Sequence, residues 1–207
     1  MEDRWLSWVK RLQSVASTGK HFARDAFDRE RYDEIGAIAA QMLAALADAP
    51  VEVIRDLVAD FGTGYATPKV EVRAAVFDAD KILLVQELTD GLWALPGGFA
   101  DVGRSPGENI EKEVWEEAGI AVKATALYAV RHKAKHAYSP DTRDFYKLYF
   151  CCDRLDTRTP TPGSETSAAA YFALDALPPL SRGRTLETDI TAAAAFMQNP
   201  ARITQFD

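Results

Sequence analysis

Apolar residues recur at two different periods along this chain, and the change between them divides it. Up to about residue 62 the period is helical. Trp5, Trp8, Val9, Leu12 and Val15 fall at intervals of three and four, and after a turn expected near Gly19 so do Tyr32, Ile35, Ile38, Met42, Leu43 and Leu46. Pro50 then opens a third short helix, expected to end at Val58 or Ala59. Residues 61–68 are crowded with glycine, threonine and proline and mark a boundary, predicting a helical domain over 1–62 and a second domain over 63–207.

Beyond the boundary the period drops to two. Residues 69–77 and 81–88 are β-rich runs joined by Asp78-Ala79-Asp80, which has the composition of a hairpin turn. Further strands are expected at 92–95, 122–130, 144–152 and 168–174, and a closing helix at 186–197. With one helix after the third strand and one at the end, this order predicts an α/β/α sandwich around a mixed sheet, preceded by a small all-helical N-terminal domain.

The helix after the third strand is the most completely specified element. Ser105 with Glu108 makes a capping box, Pro106 stands at the first helical position, and Gly119 supplies the left-handed residue that ends it. Between these signals Glu113, Glu116 and Glu117 stand at i, i+3 and i+4, so three carboxylates share one face. Their mutual repulsion becomes coordination if a hard divalent cation such as Mg²⁺ binds, because Mg²⁺ prefers oxygen ligands and keeps waters that a substrate can displace. A plain solvated face is the competing reading of such a triplet.

Composition narrows the range of partners. The net charge of −7 argues against broad binding to nucleic acid or an anionic membrane, so any anionic substrate must meet a local positive patch or a metal. Arg131, His132, Lys133, Lys135 and His136, with Arg143 and Lys147 beyond, are the one basic concentration: either a phosphate-facing flap, with His132 within it, or an ordinary solvated loop. Tyr138 is placed either to stack on a base or to pack locally. The adjacent Cys151 and Cys152 point to opposite faces of their strand and read as core thiols in a reducing compartment. The chain has no apolar run of bilayer length and its start lacks a signal-peptide pattern, so a cytoplasmic protein is expected.

From Gly98 the chain reads Gly, five residues, Arg104, seven residues, Lys112-Glu113-Val114, one residue, Glu116-Glu117, one residue, Gly119-Ile120. This resembles the signature of the Nudix hydrolases, which cleave nucleoside diphosphates linked to another moiety X. The family pattern has Glu where Arg104 stands and Arg where Lys112 stands. Lys112 can pair instead with Glu108 or Glu116, and Arg104 with Glu108. Residues 27–32, 64–73, 95–103, 177–181 and 183–185 are similar to one Nudix subgroup, whose members carry a helical N-terminal domain and act on ADP-ribose or, in some cases, CDP-choline.

The resemblance implies a pyrophosphohydrolase releasing a nucleoside monophosphate and phospho-X. It implies Glu113 and Glu117 as metal ligands, Glu116 as a third ligand or proton acceptor, and the Gly97 carbonyl as a ligand from the loop. The cofactor is Mg²⁺, with Mn²⁺ as the other candidate. Glu165, before the last strand, is the further acidic residue such enzymes often use as ligand or general base; the alternative is a solvated loop Glu. Arg73, inside a subgroup-like stretch, is the preferred phosphate contact, with His132 and Tyr138 as substrate contacts. The helices over 1–62 are either a cap on the main domain or a homodimerisation arm that also helps select substrate, and the resemblance favours the arm. A competing functional class is a catalytically weak module that binds or senses nucleotides.

Overall fold

The computed structural model describes residues 3–48, 51, 65–199 and 201–207. The expected third helix and the first half of the linker lie outside the described residues. The chain divides into two units, one formed by residues 1–69 with 140–145 and one by 70–139 with 146–207.

In the first unit α1 (Arg4–Phe22) and α2 (Ala26–Ala47) form a helical hairpin. Each begins on an aspartate cap: Asp3 accepts the N–H groups of Trp5 and Leu6, and Asp25 that of Asp28. The turn falls at residues 23–25 rather than near Gly19. Gly19 lies inside α1, where a Cβ would collide with the ring of Tyr32, so its missing side chain serves close helix packing rather than a break. The contact between the helices is made of small residues, with Val9, Ala39, Ala40, Leu43 and Ala44 forming the core. The aromatic stripe is turned outward: Trp5 and Val15 are each 55% exposed and Trp8 42%, and Ile38 and Leu46 of α2 are exposed as well.

The second unit runs β1 (Lys69–Asp78), β2 (Lys81–Glu87), β3 (Trp93–Ala94), α3 (Pro106–Ala118), β4 (Val122–His132), a 3-10 turn (Lys133–Lys135), β5 (Phe145–Arg154), β6 (Thr166–Ala173), α4 (Glu187–Gln198) and β7 (Gln205–Phe206). The strands lie in the order β3-β2-β1-β5-β4-β7, with β6 also paired to β2. The sheet is mixed, since β7 runs parallel to β4 while β2–β6 and β4–β5 are antiparallel. Ala79 takes a left-handed conformation in the β1–β2 hairpin.

Strand alternation sorts the core into two layers. Val72, Ala74, Val76, Leu83, Val85 and Cys152 pack under α3 with Ile110, Val114 and Ala118. Ala75, Ile82, Leu84, Tyr149 and Cys151 pack on the other face with Ile190, Ala193 and Phe196 of α4. The expected α/β/α sandwich forms, and the two cysteines, both free, are divided between its layers. The two-residue β7 has no clear signal in the sequence.

Candidate active site

The site is assembled where the loop after β3 runs beside the start of β1. Val72 and Ala74 donate their N–H groups to the carbonyls of Gly98 and Pro96, at 2.9 and 2.8 Å, and Ala100 donates to Val70. Gly97, between those bonded carbonyls, has φ +144°, and a Cβ there would strike the Val72 carbonyl. Only glycine lets the loop lie this close to β1.

The helix α3 is fastened to the same loop. Ser105 and Glu108 complete the capping box, Pro106 opens the helix and Gly119 closes it at φ 66°. Asn109, 1% exposed, accepts the N–H of Asp101 and donates to the carbonyls of Asp101, Arg104 and Ser105. The sequence reading missed this residue, although a polar residue beside Ile110 on the apolar face was the available signal. Arg104 is exposed. Lys112 reaches Glu116 at 2.7 Å, as expected for one of its two options, and also Asp101 at 3.4 Å, so it ties helix to loop.

Two of the three triplet carboxylates turn inward onto the paired glycines. Glu117 is buried and its Oε2 accepts the Gly97 N–H at 2.8 Å. Glu113 rests on Gly98 so closely that a Cβ there would lie 2.9 Å from its Oε2. Burial pushes the Glu117 carboxyl up to about 7, against the pull of Arg73 and of the Gly97 N–H. Burial also raises Glu113, opposed by Lys112 and reinforced by Glu116. Glu116 is exposed and engaged by Lys112.

Among the described residues no three His, Cys, Asp or Glu side chains form a ready-made metal cage. That donor set still fits Mg²⁺, which is commonly held by one or two carboxylates with waters and substrate phosphates rather than by an all-protein cage. A hydrated ion would relieve the two carboxylates that burial penalises.

Arg73 is placed differently from a free phosphate contact. It is 4% exposed, with Nε on Glu71 Oε1 at 2.6 Å and NH1 on the Leu95 carbonyl at 2.9 Å. The same Glu71 oxygen accepts from Lys147 Nζ at 2.6 Å. Burial alone would raise Glu71, but Arg73 and Lys147 outweigh it and hold the carboxyl low. Burial depresses Lys147 to about 8, with Glu71 pulling the other way and Arg73 adding to the fall. A strand position alternating with apolar neighbours cannot reveal whether a cation points to ligand or to an internal partner.

Two further acidic groups face this cluster. Glu87, buried at the end of β2, was not singled out in the sequence; Arg184 Nε reaches it at 3.0 Å, and burial raises its carboxyl. Arg184 also bonds Thr89 and Ser181, clamping the segment before α4 to the β2–β3 turn. Glu165 lies exposed in the turn before β6, near enough to Glu87 and Glu113 for its charge to add to the upward shift of both.

The basic loop is divided rather than forming one flap. Arg131 turns inward onto Asp189 at 2.6 Å, and Asp189 also accepts from the hydroxyls of Tyr138 and Tyr149. Tyr138 is therefore interior, 7% exposed, with Lys147 4.9 Å from its ring centre, and is not placed to stack on a base. His132 donates its backbone N–H to Asp207 and sets its ring edge against Tyr146. His136 bonds Asp207 through Nε2 at 2.8 Å. Beside it lies a cleft of about 450 Å³, with Arg182, Thr185, Glu187 and Thr188 among its lining.

Comparison with known proteins matches residues 67–193 to the NUDIX domain model and residues 3–58 to a model described as a UDP-X-like, N-terminal oligomerisation domain. YjhB of Bacillus subtilis (strain 168), provisionally named an ADP-ribose pyrophosphatase, is 40% identical over 207 residues, covering 100% of this chain and 99% of its own. The crystal structure of an ADP-ribose pyrophosphatase from Streptococcus suis 89-1591 is 42% identical with a TM-score of 0.62, covering 68% of this chain and 100% of that one. That of a UDP-X diphosphatase is 33% identical with a TM-score of 0.63, covering 98% of each chain.

Proposed function

The chain is a Nudix hydrolase, and on that footing we propose that it splits nucleoside diphosphates linked to a second moiety, of the ADP-ribose type, into a nucleoside monophosphate and the phosphorylated moiety. CDP-choline is the other substrate type to test. The observation that carries the proposal is the pair of inward carboxylates, Glu113 and Glu117, pressed against Gly98 and Gly97 in a loop that glycine alone can form. In the reaction water oxygen bonds to one phosphorus, the bond from that phosphorus to the bridging oxygen breaks, and the second phosphate leaves with that oxygen as protons are released.

Glu113 and Glu117 would hold Mg²⁺, or Mn²⁺ in its place, with the Gly97 carbonyl as the loop oxygen and Glu116 as a further donor. When bound, the ion supplies charge neutralisation at the phosphates and Lewis acidity. Arg73 acts as a support: by gripping the Leu95 carbonyl it fixes the loop two residues ahead of Gly97. Glu165 and Glu116, both exposed, are the candidates to accept the proton of the attacking water. Geometry favours Glu165, because Glu116 is already engaged by Lys112.

The helical unit pairs two copies of the chain into a homodimer. Its exposed tryptophan stripe supports this, as does the match of residues 3–58 to an oligomerisation domain. The two buried, unpaired thiols suit a reducing compartment such as the cytoplasm. Among the described residues no helix is long and apolar enough to cross a membrane.

The test is to incubate the full chain with Mg²⁺ and ADP-ribose, CDP-choline and related compounds and to follow monophosphate release. Tight binding without release would replace the enzyme reading by that of a nucleotide sensor. Lys112 keeps its tie to the loop through Asp101, which favours turnover.

A further inference from the structure

The cleft of about 450 Å³ is not accounted for by the carboxylates and the glycine loop, yet it is joined to them. Thr185 in its wall accepts the Leu95 N–H through Oγ1 at 2.9 Å, two residues ahead of Gly97. Leu95 thus has its N–H held by the cleft wall and its carbonyl held by Arg73. Whatever occupies the cleft meets Thr185, and through it the segment that presents the paired glycines.

Its walls are fixed before any ligand arrives. Arg182 spans from one wall to the other, donating from NH2 to the Ala137 carbonyl at 3.1 Å and accepting the Ser139 N–H at 3.0 Å through its own carbonyl. Beneath, Asp189 follows Glu187 and Thr188 in the first turn of α4 and is 0% exposed. Its carboxylate is saturated by Arg131, Tyr138, Tyr149 and the Leu186 N–H. This network anchors the turn that presents Glu187 and Thr188, and such support is what a precise binding surface needs.

Size and chemistry restrict the occupant. The volume lies at the small end of the range for ligand pockets and suits one half of an X-linked nucleoside diphosphate better than the whole. No Phe, Tyr or Trp ring is among the lining residues, and the one imidazole, His136, is tied to Asp207 through Nε2, so the cleft offers little stacking surface for a base. It presents instead a carboxylate, two threonines, a guanidinium and an imidazole, a set that donates to and accepts from vicinal hydroxyls and tolerates a nearby phosphate.

Building on the pyrophosphatase reading above, we propose that this cleft binds the phosphosugar half of the substrate, ribose 5-phosphate in the case of ADP-ribose. The phosphate end lies toward Leu95 and Gly97, and the sugar hydroxyls toward Glu187, Thr188 and Arg182. Specificity for a sugar as X then resides in the segment 182–188 and the His136 turn, apart from the acidic helix that carries the family signature.

The experiment uses the full chain with Mg²⁺ and titrates ribose 5-phosphate and AMP separately by calorimetry into wild type, Glu187→Gln and Thr188→Val. Both substitutions keep shape and remove one charge or one hydroxyl. The expected result is at least fivefold weaker ribose 5-phosphate binding in each variant, with AMP binding changed less than twofold. In turnover, the ratio of kcat/KM for ADP-ribose over an ADP ethyl ester should fall by a similar factor. Equal changes for both products, no change for either, or no binding of ribose 5-phosphate to wild type would overturn the proposal. If wild type binds ribose 5-phosphate in this cleft yet releases no monophosphate from any substrate, the enzyme reading fails while the cleft assignment stands. Arg182→Ala is a supporting variant only, since it also removes the tie across the walls.

Discussion

The two units of this chain handle burial in opposite ways. The sandwich takes charge inside: Glu71, Arg73, Lys147, Glu117, Arg131 and Asp189 are all buried. The helical hairpin leaves apolar surface outside, with Trp5, Trp8, Leu12, Val15, Ile38 and Leu46 exposed. Buried charge costs several kcal/mol per ion unless it is paired and hydrogen-bonded, so a fold that keeps it must hold it in a fixed arrangement. Exposed apolar faces have a different cost, which a second protein surface removes. On the function proposed above, the sandwich is arranged for a small anionic ligand, and the hairpin for another chain.

The largest effect is expected where the buried charge meets the chemistry. Glu117→Gln keeps the shape and still offers an oxygen to the Gly97 N–H, but removes the charge of a proposed metal ligand. Turnover should fall by roughly 10²–10³-fold or more. Because burial already disfavours the ionised form of Glu117, the metal-free variant should melt at or above the wild-type temperature. A variant that stays fully active, or that loses activity only by unfolding, would remove Glu117 from the site.

On the hairpin side, Trp5→Glu with Trp8→Glu places two charges on the exposed stripe without touching Val9 or Leu43 of its core. Light scattering should show the mass of the full chain falling to that of one copy, with helix content unchanged. A wild-type protein that is already a monomer at micromolar concentration would show that the exposed face serves another purpose.

The Lys147 pair gives a smaller, pH-dependent effect. Its folded value of about 8 lies below the ordinary lysine value of 10.5. Between these values the unfolded chain holds a proton that the folded protein has released, so unfolding takes up a proton and the stability contribution rises with pH. Below pH 8 both states are protonated and the contribution is flat. The wild type should therefore gain stability relative to Lys147→Met on going from pH 8 to pH 10, by up to about 1.4 kcal/mol per pH unit. Parallel stability curves for the two proteins would contradict this.

The smallest effect belongs to the cap. Ser105→Ala removes the acceptor of the Glu108 N–H and should cost about 1 kcal/mol of stability by denaturant unfolding, with the same denaturant dependence. A loss of several kcal/mol would mean that the cap also holds the loop in place, beyond the bonds made by Asn109.

What could be read from the sequence follows the same division. The element α3 was legible down to single residues, because its cap, its stop and its acidic face are local signals within one stretch. The strands β1 to β6 emerged within a residue or two, since alternation between two buried faces leaves a regular pattern, and only the two-residue β7 did not. Legibility failed where a residue's role depends on a partner distant in sequence. Tyr138 looked available for a ligand because nothing near it announces Asp189, 51 positions away, as its internal partner. Glu87 was silent for the same reason, its partner Arg184 being 97 positions away. Arg73 looked available although Glu71 stands two positions before it, because alternation cannot tell an internal ion pair from a pair that faces a ligand. In α1 the period named the helix but not how its stripe divides: Val9 joins Ala39, Ala40, Leu43 and Ala44 in the hairpin core, while Trp5 and Trp8 stay exposed, as the reading of a dimerisation arm expects.

The neighbouring thiols Cys151 and Cys152 have a use that follows from their placement. They share one stretch of backbone in β5, yet one lies under α4 and the other under α3. Burial raises both, Cys151 to about 11, so under native conditions each reacts with a thiol reagent only when its own layer opens. Comparing the labelling rates of Cys151→Ala and Cys152→Ala would therefore time the opening of each side of the sheet against the other, using two reporters that the chain already carries. If ligand binding slows one rate more than the other, it identifies the layer that the ligand holds shut.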